Sequence, residues 1–163
     1  MKIRTVFFLI IAPFVGLVGC QQLGDSGSER AKAEIDASMK QAAKAWEDFS
    51  KSLDRTSILK HFAMDYSGVK DGTAESLEDL AKSFDDLAEQ VKLGNTIGIS
   101  YKITDLKIQP FTGSLALLTY QDENKFGKGG VLLRDVKSKC TTLVRKEGET
   151  WLVFHEHCST MSR

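Results

Sequence analysis

The spacing of apolar residues changes along the chain, from every third or fourth position before residue 95 to every second position after residue 97. The first pattern predicts helices, because side chains three and four residues apart share one helix face. It predicts a helix of about 25 residues from the capping-box sequence 26–29, and a later helix from Ser76 to Gly94-Asn95. The two apolar stripes are Ile35, Met39, Ala42, Trp46, Phe49 and Leu53, and Leu77, Leu80, Phe84, Leu87, Ala88 and Val91.

Between these helices, the sequence predicts a short helix over residues 56–63 and a small hairpin. Asp71-Gly72 is the turn of that hairpin, since both residues accept the positive φ angles that a two-residue turn requires. Two short strands therefore flank Asp71-Gly72.

The second pattern predicts four strands in the last third of the chain. A change of parity near Thr104-Asp105 indicates a bulge in the first strand, after which Pro110 to Gly113 turn the chain into strands over 114–121 and 131–145. The last hairpin turns at Glu147-Gly148-Glu149, and residues 151–154 are apolar on both parities, as in a central strand buried on both faces. This order predicts an α+β fold with its helices on one face of a curved sheet.

The N-terminus predicts export. Lys2 and Arg4 precede an apolar run of 13 residues, which is shorter than the about 20 residues that a membrane span needs. The run ends in Leu17-Val18-Gly19-Cys20, which resembles the lipobox of bacterial lipoproteins, where the cysteine is acylated and becomes the first residue. The alternative is an ordinary secretory signal followed by a chance cysteine.

The lipobox resemblance implies three segments: a signal peptide over residues 1–19, a lipidated Cys20 with a flexible tether to residue 29, and a folded domain over 30–160. Several acyl chains, palmitate among them, anchor a protein stably to a membrane without a transmembrane helix. Gln21 stands where an aspartate would resemble an inner-membrane retention signal. We therefore expect an exported lipoprotein on the periplasmic side of the outer membrane, if the cell is Gram-negative.

Charge argues against a nucleic-acid partner. The chain has 22 basic and 22 acidic side chains, and loss of Lys2 and Arg4 with the signal leaves 20 basic against 22 acidic. Such a surface without a basic cluster lacks the electrostatic footprint of a nucleic-acid-binding protein. Nothing in the sequence calls for a cofactor.

Cys140 and Cys158 lie on the two arms of the last hairpin, at nearly equal distances from its turn. They are therefore predicted cross-strand neighbours, and an exported protein meets an oxidising compartment in which such a pair can form a disulfide. Two buried free thiols are the alternative.

The order of the elements and three short motifs resemble the nuclear transport factor 2-like superfamily, in its SnoaL-like branch, over about residues 30–160. This resemblance implies a cone-shaped fold in which a long N-terminal helix and two further helices pack on a curved, mostly antiparallel sheet. It also implies a pocket between helix and sheet and a homodimer formed through the open sheet face. The motifs are Phe62-Ala63-x-Asp65, Asp71-Gly72 and Trp151-x-Val153-x-His155-x-His157-x-Ser159.

The aromatic and histidine residues are candidates for the wall of that pocket, which suits a small apolar ligand. Each of these aromatic residues could equally be ordinary core. The predicted ligand-binding residues are Trp46, Tyr66, Tyr101, Tyr120, His155 and His157.

His155 and His157 share one strand face at a spacing that could serve a metal, with His61 or Asp65 as a third ligand. Histidines hydrogen-bonded in the core or at a subunit contact are the favoured interpretation, so no metal is predicted. Enzymes that resemble this fold use an Asp or His as general acid/base. The isomerase pattern would place that aspartate at Lys70, one residue before Asp71, whose turn position gives it a structural role.

Asp65 with His155 is left as the acid/base pair of an alternative function, a small isomerase or cyclase. The main hypothesis is a non-catalytic, lipid-anchored envelope protein that binds a small apolar ligand or a protein partner. A third hypothesis is a purely structural interaction protein of the envelope.

Overall fold

The computed structural model describes residues 25–95, 98–128 and 131–162 of the chain. The predicted signal peptide, Cys20 and the first part of the tether lie outside the described residues. The described elements are α1 (Asp25–Ser52), α2 (Thr56–Leu59), β1 (Phe62–Lys70), β2 (Thr73–Ser76), α3 (Leu77–Lys92), β3 (Gly98–Thr112), β4 (Leu115–Lys128), β5 (Val131–Glu147) and β6 (Thr150–Thr160).

The six strands form one sheet in the order β2-β1-β6-β5-β4-β3. The β1–β6 pair is parallel and the other four pairs are antiparallel. This arrangement confirms the predicted α+β class and the internal position of β6. The prediction that both faces of β6 are buried holds for the helix side only, because Trp151 and Val153 are buried while Leu152 and Phe154 are half-buried.

The helix α1 covers the sheet with the apolar stripe that the sequence predicts, and Ile35 and Phe49 on that stripe are completely buried. One end of α1 is held to the sheet by polar contacts. Glu34 accepts hydrogen bonds from Nζ of Lys146 (2.8 Å) and Nε1 of Trp151 (3.1 Å). Hydrogen bonds from Lys146, Arg30 and Trp151 lower the pKa of Glu34 to about 2, so the carboxylate is charged at neutral pH.

The predicted boundaries are confirmed for the helix α3 but not for the helix α2. Ser76 caps α3 through a reciprocal capping box with Asp79, and Gly94 with φ +70° follows its end, as predicted. The predicted helix over 56–63 is wrong in its second half, since α2 ends at Leu59. Strand pairing takes over there: the Val153 amide donates to the His61 carbonyl (2.9 Å), so the chain is already extending along β6.

Register shifts interrupt the pairing of the long strands at several points, and two of them bear on the predictions. The predicted bulge in β3 is confirmed, since its register against β4 shifts between Thr104 and Lys107 and Asp105 has φ +53°. A second shift lies between Leu143 and Val144 of β5, opposite β6. The strand predicted over 114–121 runs from Leu115 to Lys128, so β4 ends seven residues later than its apolar pattern indicated.

The predicted disulfide is confirmed: Cys140 and Cys158 are register partners in the β5–β6 pair, their Cα atoms are 4.2 Å apart, and their sulfurs are bonded. Asp71 is confirmed as a turn residue with φ +50°. Its carboxylate accepts hydrogen bonds from the backbone amide (2.6 Å) and the hydroxyl (2.8 Å) of Thr160, and so ties the β1–β2 turn to the C-terminal strand.

Candidate functional site

A cavity of about 280 Å³ lies between the helices α1 and α3 and the helix-facing side of the sheet. One wall is aromatic. The Trp46 ring stacks on the Tyr101 ring, with centroids 5.4 Å apart and an interplanar angle of 16°. The centroid of the Phe84 ring lies 4.7 Å from that of Trp46. Further apolar side chains that line the cavity are Met39, Ala42, Ile58, Phe62, Leu80, Leu87, Ile103, Phe126 and Val153.

A polar group that borders the same cavity is built on three adjacent strands. The Tyr120 hydroxyl of β4 donates to Oε1 of Glu156 on β6 (2.5 Å). The Thr142 hydroxyl of β5 donates to the same oxygen (3.1 Å). Tyr101 contacts the Tyr120 hydroxyl from β3. The result is a hydrogen-bonded group that joins the aromatic wall to one carboxyl.

Burial alters the acid–base properties of the polar side chains that border the cavity. It raises the pKa of Glu156 and of Asp122, because a low-dielectric environment disfavours the charged carboxylate. It also raises the pKa values of Tyr101 and Tyr120 well above 10, so both phenols are neutral hydrogen-bond donors at physiological pH. Lys70 acts in the opposite sense on both acids and favours their ionised forms.

Three buried polar atoms that border the cavity have no hydrogen-bond partner among the described residues: His61 Nε2, Asp122 Oδ1 and Asn124 Oδ1. Burial lowers the pKa of His61, so its imidazole is neutral at physiological pH. A buried polar group without a partner costs about 1–3 kcal/mol, and several such groups around one cavity indicate a place where a ligand or water completes the hydrogen bonding.

Four of the six predicted pocket residues line the cavity: Trp46, Tyr66, Tyr101 and Tyr120. His155 and His157 do not, and the placement predicted for them is corrected here. The register shift opposite Val144 inserts an extra residue, Phe154, into β6 and reverses the alternation of its side chains. After Val153, the residues of β6 that line the cavity are therefore Glu156 and Cys158.

The predicted acid/base pair is also placed elsewhere. Asp65 is 65% exposed and accepts two hydrogen bonds from the Arg145 guanidinium (2.6 and 2.8 Å), which lower its pKa. His155 shares a hydrogen bond with the Ser67 hydroxyl (2.9 Å from Nδ1). Neither Asp65 nor His155 lines the cavity, so the geometry does not combine them into a catalytic pair there.

Sequence reasoning missed Asp122, Asn124 and Glu156. The first two belong to a polar run that is typical of a strand end or loop. The signal that could have found them is the continued alternation Tyr120, Asp122, Asn124, Phe126, which places all four on one strand face. Glu156 could not be found by alternation, because the bulge interrupts it.

One group in the described part of the chain has a spacing suited to a metal ion: Cys140, Glu156 and Cys158, whose ligand atoms lie within 4.8 Å of one another. The two sulfurs are joined in a disulfide and so are not thiolate ligands. In the oxidised protein this group is therefore not a metal centre.

The comparisons with known proteins agree with this architecture. The family model of the SnoaL-like domain matches residues 39–163, and the chain belongs to that family. No curated protein matches the sequence.

Solved structures with the same fold are numerous. A conserved protein from Planctomyces limnophilus DSM 3776 has a TM-score of 0.65 at 12% identity, with 82% of this chain and 98% of that chain covered. A nuclear transport factor 2-like protein of unknown function from Pseudomonas putida KT2440 has a TM-score of 0.61 at 19% identity, covering 83% and 90%. A ketosteroid isomerase-like protein from Erwinia carotovora atroseptica SCRI1043 has a TM-score of 0.57 at 17% identity, covering 80% and 96%. At these identities the likeness concerns the fold alone.

Across the described residues, the structure contains no helix that is both long and apolar enough to cross a membrane.

Proposed function

We propose that this SnoaL-like domain binds one small, largely apolar ligand in the cavity between α1, α3 and the sheet, and that it does so while anchored to a membrane through lipid on Cys20. The observation that carries the binding proposal is the combination of an aromatic wall with three unpartnered buried polar atoms around one cavity of about 280 Å³. That volume lies just below the usual range for small-molecule sites, about 300–1,000 Å³, so the ligand is small.

Native mass spectrometry of the protein purified in lipid nanodiscs tests the binding proposal. A bound mass that is lost on denaturation is the expected result, and it would identify the ligand. The same spectra test the homodimer that the family resemblance predicts. If the cavity holds nothing in native preparations, and the combined fluorescence of Trp46 and Trp151 does not respond to any apolar compound at millimolar concentration, the binding proposal is wrong.

The lipid anchor is supported by Leu17-Val18-Gly19-Cys20 after a short positive and apolar N-terminal segment. Its test is the Cys20→Ser variant, with cell fractionation and mass spectrometry of the N-terminal peptide. We expect the parent chain in the membrane fraction with a diacylglycerol thioether and an added acyl chain. The variant should lose both. A parent chain that is recovered without acyl groups would contradict the anchor.

One observation favours a second function, proton transfer next to a carbonyl group. Glu156 borders the cavity, burial raises its pKa, and Tyr120 donates to its carboxyl at 2.5 Å. A carboxyl of raised pKa beside a neutral phenol can exchange a proton with a bound substrate at physiological pH. Exchange of the α-protons of a bound ketone for deuterium, followed by NMR, tests this function. Glu156→Gln should abolish the exchange and leave ligand binding intact, whereas exchange that persists in the variant rules Glu156 out.

A further inference from the structure

We infer that the cavity selects a ligand that carries a positively charged amino group on a small aromatic or aliphatic body. This inference rests on the proposed function, that the cavity holds a small ligand, and names the chemical class of that ligand. It is argued from the hydrogen-bonding character of the unpartnered atoms, the aromatic wall and the distribution of charge.

The two unpartnered oxygens, on Asp122 and Asn124, call for hydrogen-bond donors on the ligand. The Asn124 amide nitrogen donates to Oδ2 of Asp122 (3.1 Å), which leaves the amide oxygen Oδ1 as the unsatisfied atom of Asn124. An amide oxygen is only an acceptor, and so is Oδ1 of Asp122 when that carboxylate is ionised, a form that hydrogen bonds from Ser138 and the charge of Lys70 favour. An ammonium group has up to three donors and no acceptor, so it can satisfy both oxygens at once.

The aromatic wall is suited to a cation as well as to an apolar body. The stacked rings of Trp46 and Tyr101 border the same cavity as Asp122 and Asn124. The face of an indole or phenol ring attracts a cation, most strongly where water is excluded. The aromatic wall is thus complementary to the apolar body of an organic cation, and the buried carboxylate beside it is complementary to the charged group.

The charged side chains around the cavity also favour a positively charged ligand. Three acidic residues line it, Glu75, Asp122 and Glu156, and burial raises the pKa of each. A bound cation would stabilise the ionised forms of these acids and so offset the free-energy cost of burying their charges. Two basic residues, Lys70 and Arg134, also line the cavity, but both are exposed to solvent. Water screens these exposed charges in part, so they oppose a bound cation less strongly than the partly buried acids attract it.

Three probes of one shape test the inference: 2-phenylethylamine, 2-phenylethanol and 3-phenylpropanoate, which are cationic, neutral and anionic at pH 7. Their affinities for the full-length protein in nanodiscs are measured by titration calorimetry. We expect the amine to bind at least tenfold more tightly than the alcohol and the carboxylate. If the alcohol or the carboxylate binds as tightly as the amine, the ligand class is wrong and the binding function stands. If none of the three binds although native mass spectrometry shows a bound ligand, the ligand class is wrong; if the cavity is also empty in native preparations, both are wrong.

Two substitutions locate the selectivity. Asp122→Asn keeps the shape of the side chain and removes its charge, so it should abolish the preference for the amine over the alcohol. Lys70→Gln removes the like charge and should increase the affinity for the amine several-fold. Lys102→Gln is the matched control, since Lys102 is an exposed lysine of β3 outside the cavity lining. An amine preference that survives Asp122→Asn and is unmoved by Lys70→Gln would overturn the inference.

Discussion

Tyr120 and Glu156 are joined by a 2.5 Å hydrogen bond although their strands, β4 and β6, are not neighbours in the sheet. The intervening strand β5 contributes Thr142, whose hydroxyl donates to the same carboxyl oxygen at 3.1 Å. Three strands therefore share one polar contact at the cavity wall. The first two predictions concern this contact.

Tyr120→Phe should raise the pKa of Glu156 further. Burial raises the pKa of Glu156, and the hydrogen bond from Tyr120 partly offsets this by stabilising the carboxylate. Without that hydrogen bond, burial raises the pKa further. Carbon-13 NMR titration of labelled glutamate side chains measures this shift. Tyr66→Phe is the matched control, because the Tyr66 hydroxyl hydrogen-bonds to Glu75 and interacts with Glu156 only through charge, which a neutral phenol lacks. An unchanged or lower Glu156 pKa in Tyr120→Phe would show that the hydrogen bond does not stabilise the charged form.

Glu156→Gln should gain stability relative to the parent as pH rises. The folded pKa of Glu156 lies above its ordinary value of 4.5, so the stability associated with its protonated form is fully present below pH 4.5 and is lost as pH rises through the folded pKa. Glutamine cannot ionise and does not incur this loss. Denaturant unfolding at about pH 4 and about pH 8 measures the difference between the two proteins. A difference that does not change with pH would contradict the prediction.

Gly68→Ala should destabilise the fold by about 1–3 kcal/mol, the cost of overpacking a core. A Cβ at Gly68 would lie 2.4 Å from the hydroxyl oxygen of Tyr66, two residues earlier on the same strand face. Gly98→Ala is the control, since a Cβ at this strand position meets nothing within 4 Å. Tyr66→Phe in the Gly68→Ala background should restore part of the loss. If Gly68→Ala is as stable as Gly98→Ala, the close contact does not exist in solution.

Removal of the disulfide should lower the free energy of unfolding by about 3 kcal/mol, since the bridge spans 18 residues. The parent is compared with Cys140→Ala/Cys158→Ala by denaturant unfolding, with and without reductant. The reductant should destabilise the parent and have no effect on the double variant. A mass about 2 Da below that of the free thiols confirms the bond in the purified protein. The free-thiol mass in an exported sample would contradict it.

Asp65→Asn should leave ligand binding unchanged, whereas Trp46→Ala should weaken it at least tenfold. Asp65 pairs with Arg145 away from the cavity, while Trp46 forms part of the cavity wall. Trp46→Phe should keep most of the affinity, because it preserves an aromatic ring that can stack on Tyr101. Calorimetry with the probe that binds most tightly measures all three variants. A large effect of Asp65→Asn would revive Asp65 as a site residue.

Some elements could be predicted from local sequence because local chemistry determines them. The capping pair Ser76 and Asp79 fixes where α3 begins, and the symmetric placement of Cys140 and Cys158 about the last turn fixes their pairing. The aromatic wall was found for a similar reason. Trp46 lies on the apolar stripe of α1, and Tyr101 lies on the regular first half of β3.

The polar wall could not be predicted in the same way, because it depends on tertiary context. Asp122 and Asn124 follow the apolar part of β4, where polar residues ordinarily mark the end of a strand. Only the neighbouring strands β3 and β5 show that the ladder continues past them. On β6, strict alternation favoured His155, and the inserted Phe154 moved the next cavity position to Glu156.

The covalent bond between Cys140 and Cys158 has a consequence beyond stability. It lies on the C-terminal side of the bulge at Phe154, where a slip of β6 by one residue would exchange the two faces of the strand. Such a slip would turn Glu156 outward and His155 or His157 inward, and would replace an acidic wall by an imidazole wall. The bond forbids that exchange while it is intact. While it is oxidised, the Cys140–Cys158 pair therefore holds the register that places Glu156 at the cavity wall.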